Sequence, residues 1–209
     1  DIHHAGTAMR FLTSYFAIQD GKTTILTGSK RMKERPIKNL VTALRTLGAD
    51  IQYMENEGYP PLKITGKKIL KSEVDIPANI SSQFITSLLL IAGKLENGLT
   101  INLTGEITSR SYIEMTLDIL TKFGIKNSFV GNTIEVESFI NNHSSIKNYE
   151  VESDWSSASY FYSFAAIGRE TIHLKSFFRK SLQGDSAAAD IYSTSFGVKT
   201  VFNENQMTL

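Results

Sequence analysis

Three stretches of this chain open alike and recur at one interval. Each joins small polar residues to an apolar-rich helical pattern: Gly6-Thr7-Ala8-Met9-Arg10-Phe11, Ser81-Ser82-Gln83-Phe84-Ile85-Thr86 and Ser156-Ser157-Ala158-Ser159-Tyr160-Phe161. Gly6 to Ser81 is 75 positions, and Ser81 to Ser156 is 75 again. A second landmark keeps the period: Leu47-Gly48-Ala49-Asp50-Ile51, Phe123-Gly124-Ile125-Lys126 and Phe196-Gly197-Val198-Lys199, with glycine steps of 76 and 73. Two independent landmarks on one period mark a repeat architecture, in which each copy is a supersecondary unit that buries its apolar face against another.

Each copy reads the same way. In the first, apolar residues at helical spacing predict a helix over 7–18, and the β-branched run Thr23–Leu26 predicts a strand closed by Thr27-Gly28. A second helix is expected from Pro36, whose ring suits a first helical position, through Leu40, Val41, Leu44 and Leu47 to a C-terminal Gly48. Strands follow at 50–55 and 62–65, around a turn at Gly58-Tyr59-Pro60-Pro61. The second copy predicts a helix at 82–93, a strand at 99–103, a helix at 111–123 and strands at 125–130 and 133–137 about Gly131-Asn132. The third predicts a helix at 156–167, a strand at 171–175, a helix at 186–196 and a strand at 198–202, with the last strand absent or starting at Met207. With one preceding strand per copy the unit is β-α-β-α-β-β, an α/β chain of the α+β type. The polar, Asn-rich segment 138–149 is the expected domain crossing, leaving domains at 1–149 and 150–209.

Composition narrows function mainly by exclusion. A length of 209 residues allows one large domain or two modest ones. The net charge of +1 argues against a general nucleic-acid binder. The absence of cysteine excludes disulfides, thiolate metal sites and a cysteine nucleophile, and fits a cytoplasmic protein. The longest apolar run, around Ile85–Ile91, is broken by Thr86 and Ser87 and falls short of the ~20 residues that cross a bilayer. No charged-then-apolar leader points to secretion. Both ends read as cut, with a signal-processed N-terminus as the alternative.

The helix starts are the first candidates for chemistry. Free N–H groups there attract anions, and small residues let an anion approach. Ala5-Gly6-Thr7 and Ser81-Ser82-Gln83 suit this role; plain capping by Ser or Thr is the blander account. Ser109-Arg110-Ser111-Tyr112 offers three hydroxyls and a guanidinium at another helix start, or simply a capped helix with a solvated Arg. Lys30-Arg31-Met32-Lys33-Glu34-Arg35-Pro36 places four cations in six residues, either an oxyanion clamp or a solvated charged loop. Asp154 reads as a charge partner, a general base or a structural group at a helix end. His3, His4, His143 and His173 show no metal-ligand spacing with carboxylates, and Trp155 with Tyr160-Phe161-Tyr162 reads as core. Gln183-Gly184-Asp185 reads as a turn before a helix.

Ala5-Gly6-Thr7-Ala8-Met9-Arg10, Arg31-Met32-Lys33-Glu34-Arg35-Pro36, Ser81-Ser82-Gln83-Phe84, Ser109 with Tyr112, Asp154 with Ser156 to Phe161, and Gln183-Gly184-Asp185 resemble, in this order, segments of the 5-enolpyruvylshikimate-3-phosphate synthases. The resemblance covers essentially the whole chain. It implies the enolpyruvyl transferase fold, two domains of three β-α-β-α-β-β units each with the active site between them. This chain would hold two of the three units of the shikimate-3-phosphate-binding domain (1–149) and a truncated first unit of the other (150–209).

The resemblance also implies an activity: transfer of the enolpyruvyl group of phosphoenolpyruvate to the 5-hydroxyl of shikimate 3-phosphate, with release of phosphate, by addition then elimination. Ser81, Ser82 and Ser109 would hold the shikimate phosphate and Tyr112 would line that pocket. Gln83 would touch both substrates. Arg35 would bind phosphoenolpyruvate with the Gly6 backbone packed against it, so that Gly6→Ala should weaken glyphosate, the family's inhibitor at that site. No cofactor, metal, nucleic acid or membrane is implied, and the full-length protein is expected to be a cytoplasmic monomer. The family's catalytic lysine would lie upstream of Asp1 and its proton-transferring Asp and Glu downstream of Leu209, so no catalytic residue falls in this chain, which alone should not turn over. His4 replaces a frequent Asn or Asp, Phe11 a frequent Pro, and Arg110-Ser111 a frequent Lys-Pro. The rival within the fold is UDP-N-acetylglucosamine 1-carboxyvinyltransferase, whose reactive loop usually carries a cysteine that this chain lacks between Asp20 and Pro36. A non-catalytic repeat scaffold that binds anions is the rival from another class; a nucleic-acid-end enzyme on related units is disfavoured by charge.

Overall fold

The three copies share one strand order, in which the last strand of each copy lies between the other two. The computed structural model describes residues 1–140, 148–204 and 206–209, which form two compact units, 1–145 and 146–209. In the first copy, α1 (Gly6–Ala17), β1 (Thr23–Leu26), a one-turn α2 (Lys30–Lys33), α3 (Lys38–Leu47), β2 (Asp50–Tyr53) and β3 (Leu62–Thr65) give an antiparallel sheet of order β1-β3-β2. In the second, β4 (Glu73–Pro77), α4 (Ser82–Ala92), β5 (Leu99–Thr104), α5 (Arg110–Lys122), β6 (Asn127–Val130) and β7 (Thr133–Val136) give the order β4-β5-β7-β6. Here β4 runs parallel to β5 across the α4 crossover, and β7 is antiparallel to both neighbours. The strand expected ahead of each unit is thus present in this copy as Glu73–Pro77.

Local chemistry sets the element ends. Gly48, Gly124 and Gly197, the second landmark, all have positive φ (112°, 83° and 70°) where helices stop. The predicted start of α3 at Pro36 is corrected. Ser29 accepts a hydrogen bond from Met32 N and caps α2, so part of the expected charged loop is helical. Pro36 then follows that turn, because proline disfavours helix in the residue before it. Ile37 is buried in a non-helical conformation (φ −132°), its N–H bonded to Gly58 O at 2.9 Å, and α3 begins after it.

In unit one, residues of both copies form a single hydrophobic core. The buried stripe of α3 (Leu40, Val41, Leu44, Leu47) matches its sequence spacing. Helix α4 is apolar nearly all round because it is covered on two sides, by α1 and by α5.

Unit two contains α6 (Trp155–Gly168), β8 (His173–Lys175), a 3-10 turn at Gly184–Ala187, α7 (Ala188–Phe196), β9 (Val201–Asn203) and β10 (Gln206–Thr208). The last strand is present and begins at Gln206, central in the order β8-β10-β9. The expected aromatic core is partly corrected. Trp155 and Tyr162 are buried with Ala158 and Ala165, at helical spacing, but Tyr160 is 70% exposed and Phe161 41% exposed because they project from other faces of α6. No helix among the described residues is long and apolar enough to cross a membrane.

Candidate functional site

Anion sites at helix starts need free N–H groups, so the caps come first. Ser29 caps α2 and Asp154 caps α6 through their side chains. The starts of α1, α4 and α5 carry no side-chain cap, although Ser81 and Ser109 occupy two of the capping positions. The bland account of Ser81 and Ser109 as ordinary caps therefore does not hold.

Two of these starts meet. Gln83 Nε2 on α4 donates to Thr7 Oγ1 on α1 at 3.1 Å, across 76 positions of sequence. One residue before Thr7, the backbone of Gly6 faces two guanidinium groups. A Cβ added to Gly6 would lie 3.0 Å from Arg10 Nη1 and 3.0 Å from Arg35 Cζ, and would collide with Arg35 Nη1. Only the missing side chain of glycine permits this approach.

Arg10 and Arg35 have no carboxylate partner among the described residues. Arg10 Nη1 donates to Gly6 O at 2.8 Å, its Cζ stands 5.5 Å from the Phe84 ring centroid, and its buried Nε lacks a partner. Burial first, and the like charge of Arg35 second, push the Arg10 guanidinium below its ordinary value. Two like charges beside a helix N-terminus form a site that an anion would relieve. The expected four-cation clamp loses Arg31, which pairs with Glu34 at 3.5 Å, and Lys33, which pairs with Glu55 at 2.6 Å; of the other two, Lys30 is exposed and Arg35 is the one that faces Gly6.

The remaining candidates are placed as follows. Ser81 and Ser82 are half-buried at the start of α4, and their side chains make no hydrogen bond among the described residues. Ser109 precedes α5, and Tyr112 on its first turn is 54% exposed. Arg110 is held by Glu114 at 2.7 Å and stacks over Phe129 at 4.0 Å, so it is not a loose solvated side chain. Helix α5 leans on α4 through Thr86 and Thr116, whose hydroxyls are 3.4 Å apart.

In unit two, Asp154 accepts from Ser156 N at 3.0 Å and Ser157 Oγ at 2.7 Å, which occupies both its oxygens as a cap. The Ser157 hydroxyl above all holds its carboxyl below the ordinary value. Ser156 Oγ in turn donates to Asp185. Gln183 accepts from Trp155 N at 3.0 Å and donates to Ser153 O at 2.9 Å and Glu152 Oε2 at 3.3 Å. Glu152, unremarked in sequence, also accepts from Trp155 Nε1, Phe178 N and Ser181 Oγ. An open cavity of about 670 Å³ lies in this unit, lined by Arg179, Asp190, Lys199 and Trp155 among others, with mixed charge rather than converging cations. His3 and His4 are exposed and stack edge-on, and His173 Nδ1 meets Thr208 Oγ1 at 3.0 Å. His143 lies outside the described residues. Among the described residues no group of three His, Cys, Asp or Glu could hold a metal ion.

Arg10 is a site residue that the sequence reading does not single out. It closes the segment Ala5–Arg10, four positions after Gly6, a spacing that places both on one helix face.

A family profile for EPSP synthase (3-phosphoshikimate 1-carboxyvinyltransferase) matches residues 1–207. Proteins described as 3-phosphoshikimate 1-carboxyvinyltransferase are similar throughout. That of Bacteroides fragilis is 46% identical over 211 residues, covering 100% of this chain and 50% of the relative. That of Sulfurovum sp. is 42% identical over 209 residues, covering 99% and 48%. That of Colwellia psychrerythraea is 46% identical over 194 residues, covering 90% and 44%. The crystal structure of an EPSP synthase from Acinetobacter baumannii superposes with a TM-score of 0.72 at 23% identity, covering 100% of this chain and 46% of that one, a likeness of fold. The chain spans about half the length of the curated relatives it matches. With the repeat, the shared strand order and a family match over nearly its whole length, this chain belongs to the EPSP synthase (3-phosphoshikimate 1-carboxyvinyltransferase) family.

Proposed function

We propose that this chain carries substrate-binding parts of an enzyme that joins the enolpyruvyl group of phosphoenolpyruvate to the 5-hydroxyl of shikimate 3-phosphate. In this reading residues 1–149 are two of three units of the shikimate-3-phosphate-binding domain, and residues 150–209 are the first unit of the second domain. A cytoplasmic monomer acting on small molecules, with no nucleic-acid or membrane partner, is the setting proposed with it, on the strength of family membership.

The observation that carries the reading is the pair of uncapped starts of α1 and α4, joined by Gln83 and Thr7, with Arg10 and Arg35 converging on Gly6 and without a carboxylate partner among the described residues. Phosphoenolpyruvate is a small dianion or trianion whose carboxylate and phosphate suit two guanidiniums and a helix N-terminus. Arg35 and the Gly6 backbone are assigned to it. Ser81, Ser82 and Ser109 are assigned to the phosphate of shikimate 3-phosphate, Tyr112 to its ring pocket, and Gln83 to both substrates.

In the reaction, O5 gives up its hydroxyl proton and bonds to C2 of phosphoenolpyruvate while C3 gains a proton and becomes a methyl group. The C2–O bond to phosphate then breaks as the methyl group loses a proton, which restores the double bond. Binding two anions in register is this chain's part, since holding O5 beside C2 turns a two-substrate addition into an effectively unimolecular step. Proton transfer is assigned to groups of the full-length enzyme outside residues 1–209, and the chain alone is expected to be inactive.

The test is an NMR titration of the chain with shikimate 3-phosphate and phosphoenolpyruvate, run beside UDP-N-acetylglucosamine. Shifts at Ser81–Gln83, Ser109–Tyr112 and Gly6 with the first two ligands are expected. Shifts with the sugar nucleotide alone would replace this reading by the sister activity.

A further inference from the structure

Fully buried hydroxyls are scarce in this fold. Thr13, Ser14, Ser87 and Thr116 are the buried polar residues among those described. Thr13 and Thr116 bond back to carbonyls of their own helices, Met9 O at 2.6 Å and Tyr112 O at 2.9 Å, and Thr116 reaches Thr86 of α4 only at a long 3.4 Å. Ser14 and Ser87 do something else. Their Oγ atoms meet across α1 and α4 at 2.6 Å, and Ser87 Oγ donates to Arg10 O at 2.7 Å. With the Ser87 proton on that carbonyl, Ser14 is the donor to Ser87. Both residues are 0% exposed.

Apart from Ser87, the buried residues of α4 are apolar. Apolar contacts are non-directional and by themselves fix the sliding of one helix along another weakly, whereas a buried hydrogen bond is directional and costly to leave unmade. Single buried polar positions are known to set register between helices. A slip of α1 by one turn, ~5.4 Å, would break both serine bonds. It would also draw Thr7 off Gln83, whose contact at 3.1 Å lies two turns along α1 from Ser14 and one along α4 from Ser87.

We propose that the Ser14–Ser87 hydrogen bond, anchored on the Arg10 carbonyl, is a register pin that holds the start of α1 against the start of α4. Ser14 and Ser87 are positioning residues. They act through Thr7 and Gln83, and through Arg10, whose backbone accepts the bond and whose guanidinium faces Gly6. Their effect on binding rests on the assignment of phosphoenolpyruvate to this corner; their effect on helix register does not.

The experiment follows the Gln83 side-chain amide in ¹H–¹⁵N spectra of the 209-residue chain without ligand, then titrates phosphoenolpyruvate, in Ser14→Ala/Ser87→Ala beside the parent chain. Urea unfolding of each is measured in parallel. The double variant leaves neither serine hydroxyl unpaired, and the Arg10 carbonyl, inside α1, keeps its place in the helical ladder, so the unfolding midpoint should stay near the parent's. Its Gln83 amide should nevertheless move toward the position of a free side-chain amide, and phosphoenolpyruvate should bind about tenfold more weakly. Thr13→Ala, which removes a hydroxyl bonded within its own helix, should leave the Gln83 amide in place. A Gln83 amide unmoved in the double variant overturns the register pin. If phosphoenolpyruvate fails to bind the parent chain, the ligand assignment falls, and the ligand-free amide position still decides the pin.

Discussion

Replacing Gly6 with Ala should separate binding from stability. Glycine at the first position of α1 faces Arg35, and the added methyl would collide with that guanidinium. Arg35 is exposed and flexible, so it can swing away at little cost to the fold. Alanine is the better helix former, by up to about 1 kcal/mol within a helix and less at its first turn. Folding stability should therefore hold or rise slightly. Anion binding should not survive as well, because the displaced Arg35 loses a charge-assisted hydrogen bond worth about 1.5–3 kcal/mol. That corresponds to phosphoenolpyruvate binding weakened about tenfold to just over a hundredfold. Calorimetric titration with phosphoenolpyruvate and urea unfolding of the same variant measure the two quantities. A cycle with Arg35→Ala sharpens the test, since Gly6→Ala should add little once Arg35 is gone. Unchanged affinity, or a stability loss above about 1 kcal/mol with affinity falling in step, would refute the reasoning.

Ser81→Ala/Ser82→Ala should change unfolding stability by no more than about 0.5 kcal/mol, because neither side chain has a hydrogen-bond partner among the described residues, while shikimate 3-phosphate binding should be lost in a titration. Ser29→Ala, by contrast, removes a working cap and should cost about 1 kcal/mol in the same unfolding assay. Asp154 has its carboxyl held below the ordinary value of 3.8, so its contribution is complete above that pH and is lost as pH falls through the lowered folded value. Trp155, the chain's single tryptophan and buried beside it, should report this as a falling unfolding midpoint in acid, and Asp154→Asn should flatten that part of the profile. Gly66→Ala places a methyl against the backbone of Gln19 and Phe16, which cannot swing aside, and should cost more than about 2 kcal/mol by thermal unfolding.

Much of the local architecture is legible in the chain itself. Helical spacing marks α1, α3, α4 and α5 within a residue or two, and the β-branched run Thr23–Leu26 is the observed β1. Glycines at one period predict three helix ends because a left-handed residue there carries a steric penalty for any side chain. The misses have equally local causes. Pro36 favours both the start of a helix and the end of the one before, and the burial of Ile37 chose the second. Tyr160 and Phe161 share the apolar character of Tyr162, but a 100° step per residue turns them away from the face that Trp155 and Ala158 bury.

The sequence by itself thus determined the repeat, its helices and strands, and the small residues at three helix starts, since these follow from backbone sterics and periodicity within a few turns of chain. Only the tertiary structure decided that the last strand of each copy lies between the other two, that Gln83 reaches Thr7, that Ser87 meets Ser14, and that Arg10 and Arg35 face one glycine. The helix-to-helix contacts join residues more than 70 positions apart. They exist because neither copy can bury its apolar helix faces alone, and packing α1 on α4 is what brings the two uncapped starts together.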